Sequence, residues 1–156
     1  MRHISVIRLY RLHIKNTEEK QPVADRTTLL CTVTNVVKKV CLFKTSKIYV
    51  NTKALKHLYD KKPAQEFNFI IRNIHTIVKY PDHIYNNKSS KRGDYIFTKL
   101  IKKDIYLCSV EIVDNASING YTEHANFVVT CFKVRDKKYL KKYDLMWSWK
   151  GGDPSS

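Results

Sequence analysis

FVVTCFKV, residues 127–134, is the stretch whose reading decides the fold. Period two sends Phe127, Val129, Cys131 and Lys133 to one side and Val128, Thr130, Phe132 and Val134 to the other. Apolar and β-branched residues on both sides mark a strand buried on both faces, central or nearly so. Thr130 is a hydroxyl inside that run, and Lys133 and Arg135 follow it. A hydroxyl and two cations leaving a buried strand suit a phosphate, and they equally suit a plain strand end. Both readings stand at this point.

Working outward, residues 105–113 (IYLCSVEIV) and 95–101 (YIFTKLI) read as partner strands, and 83–86 (HIYN) as a short first arm. The basic turn NKSSKRGD, residues 87–94, joins the first two arms, and a loop around Gly120 precedes the last strand. Upstream, Phe67, Ile70, Ile71, Ile74, Ile77 and Val78 recur at three and four, which predicts an amphipathic helix over 64–79 started by Pro63. Leu55, Leu58 and Tyr59 share a face of a shorter helix over 53–61, capped by Asn51 or Thr52 after a strand at 47–50. Residues 4–14 alternate imperfectly and read as a strand. Residues 27–43 read as a strand pair. A helical turn is expected within 136–142.

The expected fold is α+β: two helices packed on a four-stranded antiparallel sheet, with an extra β-rich segment before them. Residues 1–45 form that N-terminal extension, 46–146 the main domain and 147–156 a flexible tail.

The chain has 156 residues, enough for one domain with a real core. No apolar run reaches the ~20 residues that span a bilayer, and the first 15 lack the continuous apolar stretch of a signal peptide. Four cysteines without a CxxC pair read as reduced, buried thiols of a cytosolic protein. Lys+Arg 29 against Asp+Glu 14 gives a net charge of +15. Residues 1–50 hold ten basic and three acidic side chains, 51–103 twelve and four, and 104–156 seven of each. The excess therefore sits in the first two thirds. Such an excess fits a polyanion partner, and ten tyrosines with six phenylalanines supply stacking surfaces. A merely soluble basic protein is the bland alternative.

Glycine-rich phosphate loops, HExxH and paired carboxylates are absent from the sequence, so neither a metal nor another cofactor is expected. What remains is metal-free chemistry on a polyanion. Attack by the RNA 2′-hydroxyl needs a group to take a proton, one to return it, and donors for the phosphorane oxygens. Histidine suits the proton transfer; lysine, arginine and threonine suit the phosphate. His57 shares a helix face with Lys61, opposite the apolar positions, and is the best-placed histidine. Its bland reading is a solvent-exposed helix residue. His83 and His124 head strands and are weaker candidates. Lys88, Lys91 and Arg92 make a basic finger suited to non-specific phosphate affinity, or to being a solvated hairpin tip.

The order IYVNTKALKHLYDKK, helix ending KYPDHIYNN, hairpin, IYLCSVEIV and NFVVTCFKV resembles the phage-type branch of the barnase–EndoU–colicin–RelE (BECR) nucleases. The matching residues are His57 and Lys61, then Pro81, Asp82 and Ile84, then Thr130 and Phe132, across about two thirds of the chain. The resemblance implies a small metal-independent endoribonuclease that cleaves RNA, tRNA included, to a 2′,3′-cyclic phosphate. In that scheme His57, Lys61 and Thr130 are catalytic, with Lys61 standing where the family has a second histidine. Lys133 and Arg135 supply positive charge; Tyr85, Lys91 and Arg92 are further substrate-binding candidates, resting on proximity to the sheet. A toxin or effector role also follows, in the cytoplasm or delivered into a target cell, with a cognate immunity or antitoxin protein as partner. The alternatives are a non-catalytic RNA- or DNA-binding module and a phage structural or protein-interaction component.

Overall fold

A computed structural model describes residues 2–88, 93–118 and 120–149. Its centre is one mixed sheet of seven strands in the order β1-β2-β6-β5-β4-β3-β7. The strands are β1 (Thr27–Thr32), β2 (Lys47–Asn51), β3 (His83–Asn86), β4 (Tyr95–Ile101), β5 (Asp104–Ile118), β6 (Tyr121–Val134) and β7 (Asp144–Ser148). β2 runs parallel to β6, and every other neighbouring pair is antiparallel. Four α-helices pack on one face: α1 (Arg2–His13), α2 (Asn35–Val40), α3 (Thr52–Lys61) and α4 (Ala64–Lys79). A 3₁₀ segment, η1 (Lys137–Lys142), lies on the other. The described residues contain no helix long and apolar enough to cross a membrane.

The expectation of a four-stranded antiparallel sheet carrying two helices is corrected by this architecture: the fold is α+β with seven strands in a mixed sheet. The four-strand meander is present as β3 to β6, but β1 and β2 extend it on one side and β7 on the other. The expected β-rich N-terminal segment is also corrected, because residues 2–13 are helical. Val6, Leu9 and Ile14 are the buried positions there, a spacing of three and five that a strand would not bring to one side. The β-branched Ile4, Val6 and Ile7 suggested a strand; packing of Val6 and Leu9 into the main core overrides that propensity. Residues 27–43 hold β1 and then α2, whose N-cap Thr34 accepts a hydrogen bond from the Val37 N–H at 3.3 Å.

α3 and α4 lie where periodicity predicts them. Asn51 caps α3 by accepting from the Ala54 N–H at 2.9 Å. Ile70, Ile74, Ile77 and Val78 of α4 are fully buried against Phe97, Cys108, Val110 and Cys131. Each such aliphatic side chain contributes about 2 kcal/mol of transfer free energy, enough to fix which way both helices face. The loop expected at 114–123 is instead the tip of the β5–β6 hairpin, with Ser117 opposite Thr122 and Ile118 opposite Tyr121. Gly120 there has φ 84°, a conformation that disfavours other residues. This tip builds a second, smaller core from Tyr49, Ala116, Ile118 and Ala125 on the face away from the helices.

One irregularity decides which side chains share a face. Ser109 pairs with Thr130, yet the next residue, Val110, pairs with Val128, so Val129 is an extra residue in β6. This β-bulge resets the alternation within FVVTCFKV. Val128 and Cys131 both enter the main core, whereas strict alternation separates them. Thr130 and Phe132 consequently point to the face opposite the helices, with Phe127.

Candidate functional site

β2 and β6 pair only at Ile48–Asn126 and Tyr49–Phe127. Beyond that point β2 ends and the chain turns into α3, leaving the edge of β6 flanked by a helix. The gap is a cleft of about 680 Å³. Lys20, Asn51, Lys53, His57 and Glu111 line it together with Phe127, Val128 and the bulge residue Val129.

α3 reaches this cleft with a defined face. Leu55 and Leu58 are fully buried, so Lys53, His57 and Lys61, four residues apart in succession, form one exposed stripe along the opposite side. Between these faces sits an ion pair, Lys56 Nζ to Asp60 Oδ1 at 2.6 Å, with side chains only 8% and 10% exposed. Lys56 also donates to the Glu18 carbonyl at 2.6 Å, and the Lys20 N–H donates to Asp60 Oδ2 at 3.0 Å. The pair thereby staples residues 18–20 onto α3 and fixes one wall of the cleft. Burial pushes the Asp60 carboxyl up, but the Lys56 and Lys20 hydrogen bonds, with the charges of Lys56 and His57, outweigh it and hold Asp60 below its ordinary value.

The other sequence-predicted residues are placed as follows. Lys61 is exposed at the last turn of α3. Thr130 is half-buried on the far face, directly across from buried Ser109. Tyr85 shares that face, so the sheet brings Thr130 and Tyr85 to one side, and neither lines the cleft that holds His57. The Lys133 N–H donates to Glu66 Oε2 at 3.2 Å, and the Arg135 guanidinium pairs with Glu66 Oε1. Arg135 therefore ties the end of β6 to the start of α4, although its own side chain is 60% exposed. Lys91 and Arg92 lie outside the described residues. Asp82 accepts from the Leu100 N–H at 2.7 Å and positions β4.

The far face carries a second constellation. His83 Nδ1 lies 2.7 Å from Ser148 Oγ, and Asp82, His83, Tyr85, Thr98, Lys137 and Trp149 line a cavity of about 390 Å³. Beside it the rings of Tyr85, Tyr143, Tyr139 and Phe132 follow one another, and Lys142 Nζ stands 3.9 Å from the Tyr139 ring centre. Burial raises the Tyr139 phenol, and the hydrogen bond from Tyr143 together with Lys142 outweighs this and lowers it.

Sequence reasoning missed Lys53, Lys20 and the Tyr139–Lys142–Tyr143 group. Lys53 was legible, standing one helical turn before His57. Lys20 was not, since its loop is brought to the cleft by the Lys56–Asp60 staple between segments distant in sequence. Among the described residues no cluster of three or more His, Cys, Asp or Glu side chains is arranged to hold a metal. The four cysteines are free and buried; burial raises the Cys31 thiol to about 12, with a smaller opposing effect from Lys79. Comparison with protein-family models, curated proteins and solved structures gave no match to this chain.

Proposed function

We propose that the protein is a metal-independent endoribonuclease whose reaction centre is the cleft between α3 and the bulged edge of β6. The observation that carries this reading is the exposed Lys53–His57–Lys61 stripe of α3, whose Lys53 and His57 line the cleft together with Lys20, with Lys61 one turn beyond. His57 takes the proton from the RNA 2′-hydroxyl as O2′ bonds to phosphorus. The P–O5′ bond breaks, and the leaving oxygen recovers a proton from the imidazolium or from water. Lys53, Lys61 and Lys20 offset the charge that builds on the phosphorane oxygens. The products are a 2′,3′-cyclic phosphate and a 5′-hydroxyl. Incubation of the full chain with total RNA in EDTA tests this, with end-group mapping of the fragments. Cyclic-phosphate ends support it; intact RNA, or cleavage that EDTA abolishes, refutes it.

A second reading, RNA or DNA binding without cleavage, is favoured by the net charge of +15. Filter binding at two salt concentrations then gives steeply salt-dependent affinity and no fragments. The toxin role and its neutralising partner rest on the family resemblance.

A further inference from the structure

We propose that the sheet face opposite the helices is a stacking platform for the unpaired bases of RNA, built from Tyr85, Tyr143, Tyr139 and Phe132. The rings form a series: Tyr85 to Tyr143 at 6.3 Å between centres, Tyr143 to Tyr139 at 5.9 Å, and Tyr139 to Phe132 at 5.7 Å. Tyr139 is 39% exposed, and the other three rings are half-buried. All four α-helices contribute to the core on the other face, and this surface is supplied by Tyr85 of β3, Phe132 of β6, Tyr139 of η1 and Tyr143 just after it, with β7 beside β3.

Charge matches the occupant. Lys137, Lys138, Lys141 and Lys142 are exposed on η1, and Lys62 Nζ lies 5.1 Å from the Phe132 ring centre at the edge of β6. The acidic groups nearby are engaged: Asp136 accepts from the Lys138 N–H, Asp144 pairs with Lys88, and Asp82 accepts from the Leu100 N–H. Rings that offer flat π-surfaces beside lysines are what sequence-tolerant binding of single strands requires, since every base has a π-face and every nucleotide a phosphate. A neutral or basic peptide has no reason to select rings flanked by five lysines, and an acidic one lacks a flat base in every repeat to stack on them.

The platform is continuous with the cleft. Val129 lines the cleft and Phe132 ends the ring series, three residues and about 10 Å apart on the same strand. A strand held at the α3 cleft thus passes round the β6 edge beside Lys62 onto the rings. This inference rests on RNA being the partner, and not on His57 performing the cleavage.

The test uses the full chain carrying His57→Ala, in EDTA, and compares a labelled oligouridylate with an abasic ribose-phosphate oligomer of equal length by fluorescence anisotropy. The expected result is about tenfold or greater preference for the base-bearing strand, lost in Tyr139→Ala and Tyr143→Ala and kept in Tyr139→Phe. Should Tyr139→Ala lose its circular-dichroism spectrum, Tyr139→Leu, bulky but without a π-face, reads the same ratio. Equal affinity for the two oligomers, or a preference unchanged in these variants, overturns the platform while leaving cleavage at the cleft intact. Base preference in a chain whose native form leaves RNA uncut supports the platform and refutes the nuclease reading. Absence of RNA affinity overturns both.

Discussion

The two faces of the sheet obey different rules. On the helix-covered face Ile84, Phe97, Cys108, Val128 and Cys131 are sealed beneath the helices, and the buried charged groups there, Lys56 and Glu66, are held in ion pairs. On the other face the same strands present Thr98, Ser109 and Thr130, with tyrosine rings and lysines above them. On β4 and β5 ordinary alternation places Thr98 and Ser109 there, and on β6 one extra residue, Val129, turns Thr130 away from the core that strict alternation would have shared with Val128. The lesson is that the two faces divide the work of the sheet: the covered side holds the main core that sets the fold, and the open side carries hydroxyls, rings and lysines that the core does not need.

That separation is sharpened most by Phe97→Ala. The side chain is fully buried, so chemical denaturation should show a loss of about 4 kcal/mol. Lys56→Ala is next: it strands Asp60 and frees residues 18–20, with an expected cost of about 3 kcal/mol by denaturation and a weakened cleft. Glu66→Gln follows, at about 1 kcal/mol at neutral pH, from the weakened tie to Arg135. Burial raises the Glu66 carboxyl, and its bonds to Arg135 and Lys133 more than reverse this, so its folded-state pKa lies below the unfolded value. Its stabilisation is complete above the unfolded pKa, about 4.3, and is lost as pH falls through the folded value. Wild-type stability should therefore decline below about pH 4, and the decline should be shallower in Glu66→Gln. Thr130→Ala should change stability least, by under about 0.5 kcal/mol, because the residue is half-buried and off the core. A large loss from Thr130→Ala, or a small one from Phe97→Ala, would break the contrast.

Much of this was legible in the chain, and the failures have physical causes. α4 was readable because six apolar residues at helical spacing admit no other burial. The end of β5 and start of β6 were missed because Asp114, Asn115, Ser117, Thr122 and Glu123 look like a loop, although the Asn119-Gly120 pair is a strong hairpin signal. β7 was missed because DLMWS has no alternation of its own and gains its place by pairing with β3. The bulge had no local signature: FVVTCFKV reads the same with or without it, and only the register with β5 locates it. His57 was legible from α3 alone. Its companions Lys20 and Val129 arrive from distant segments, and no spacing announces them.

The central claim, that chemistry belongs to the α3 cleft and not to the open face, turns on two histidines. His57 lines the cleft, and His83 sits on the open face 2.7 Å from Ser148. The direct measurement is the RNA cleavage rate in EDTA of the native chain, His57→Ala and His83→Ala, side by side. The account predicts a loss of about 100-fold or more in His57→Ala and a rate within a few-fold of native in His83→Ala. A native rate in His57→Ala, with the loss in His83→Ala instead, would contradict it.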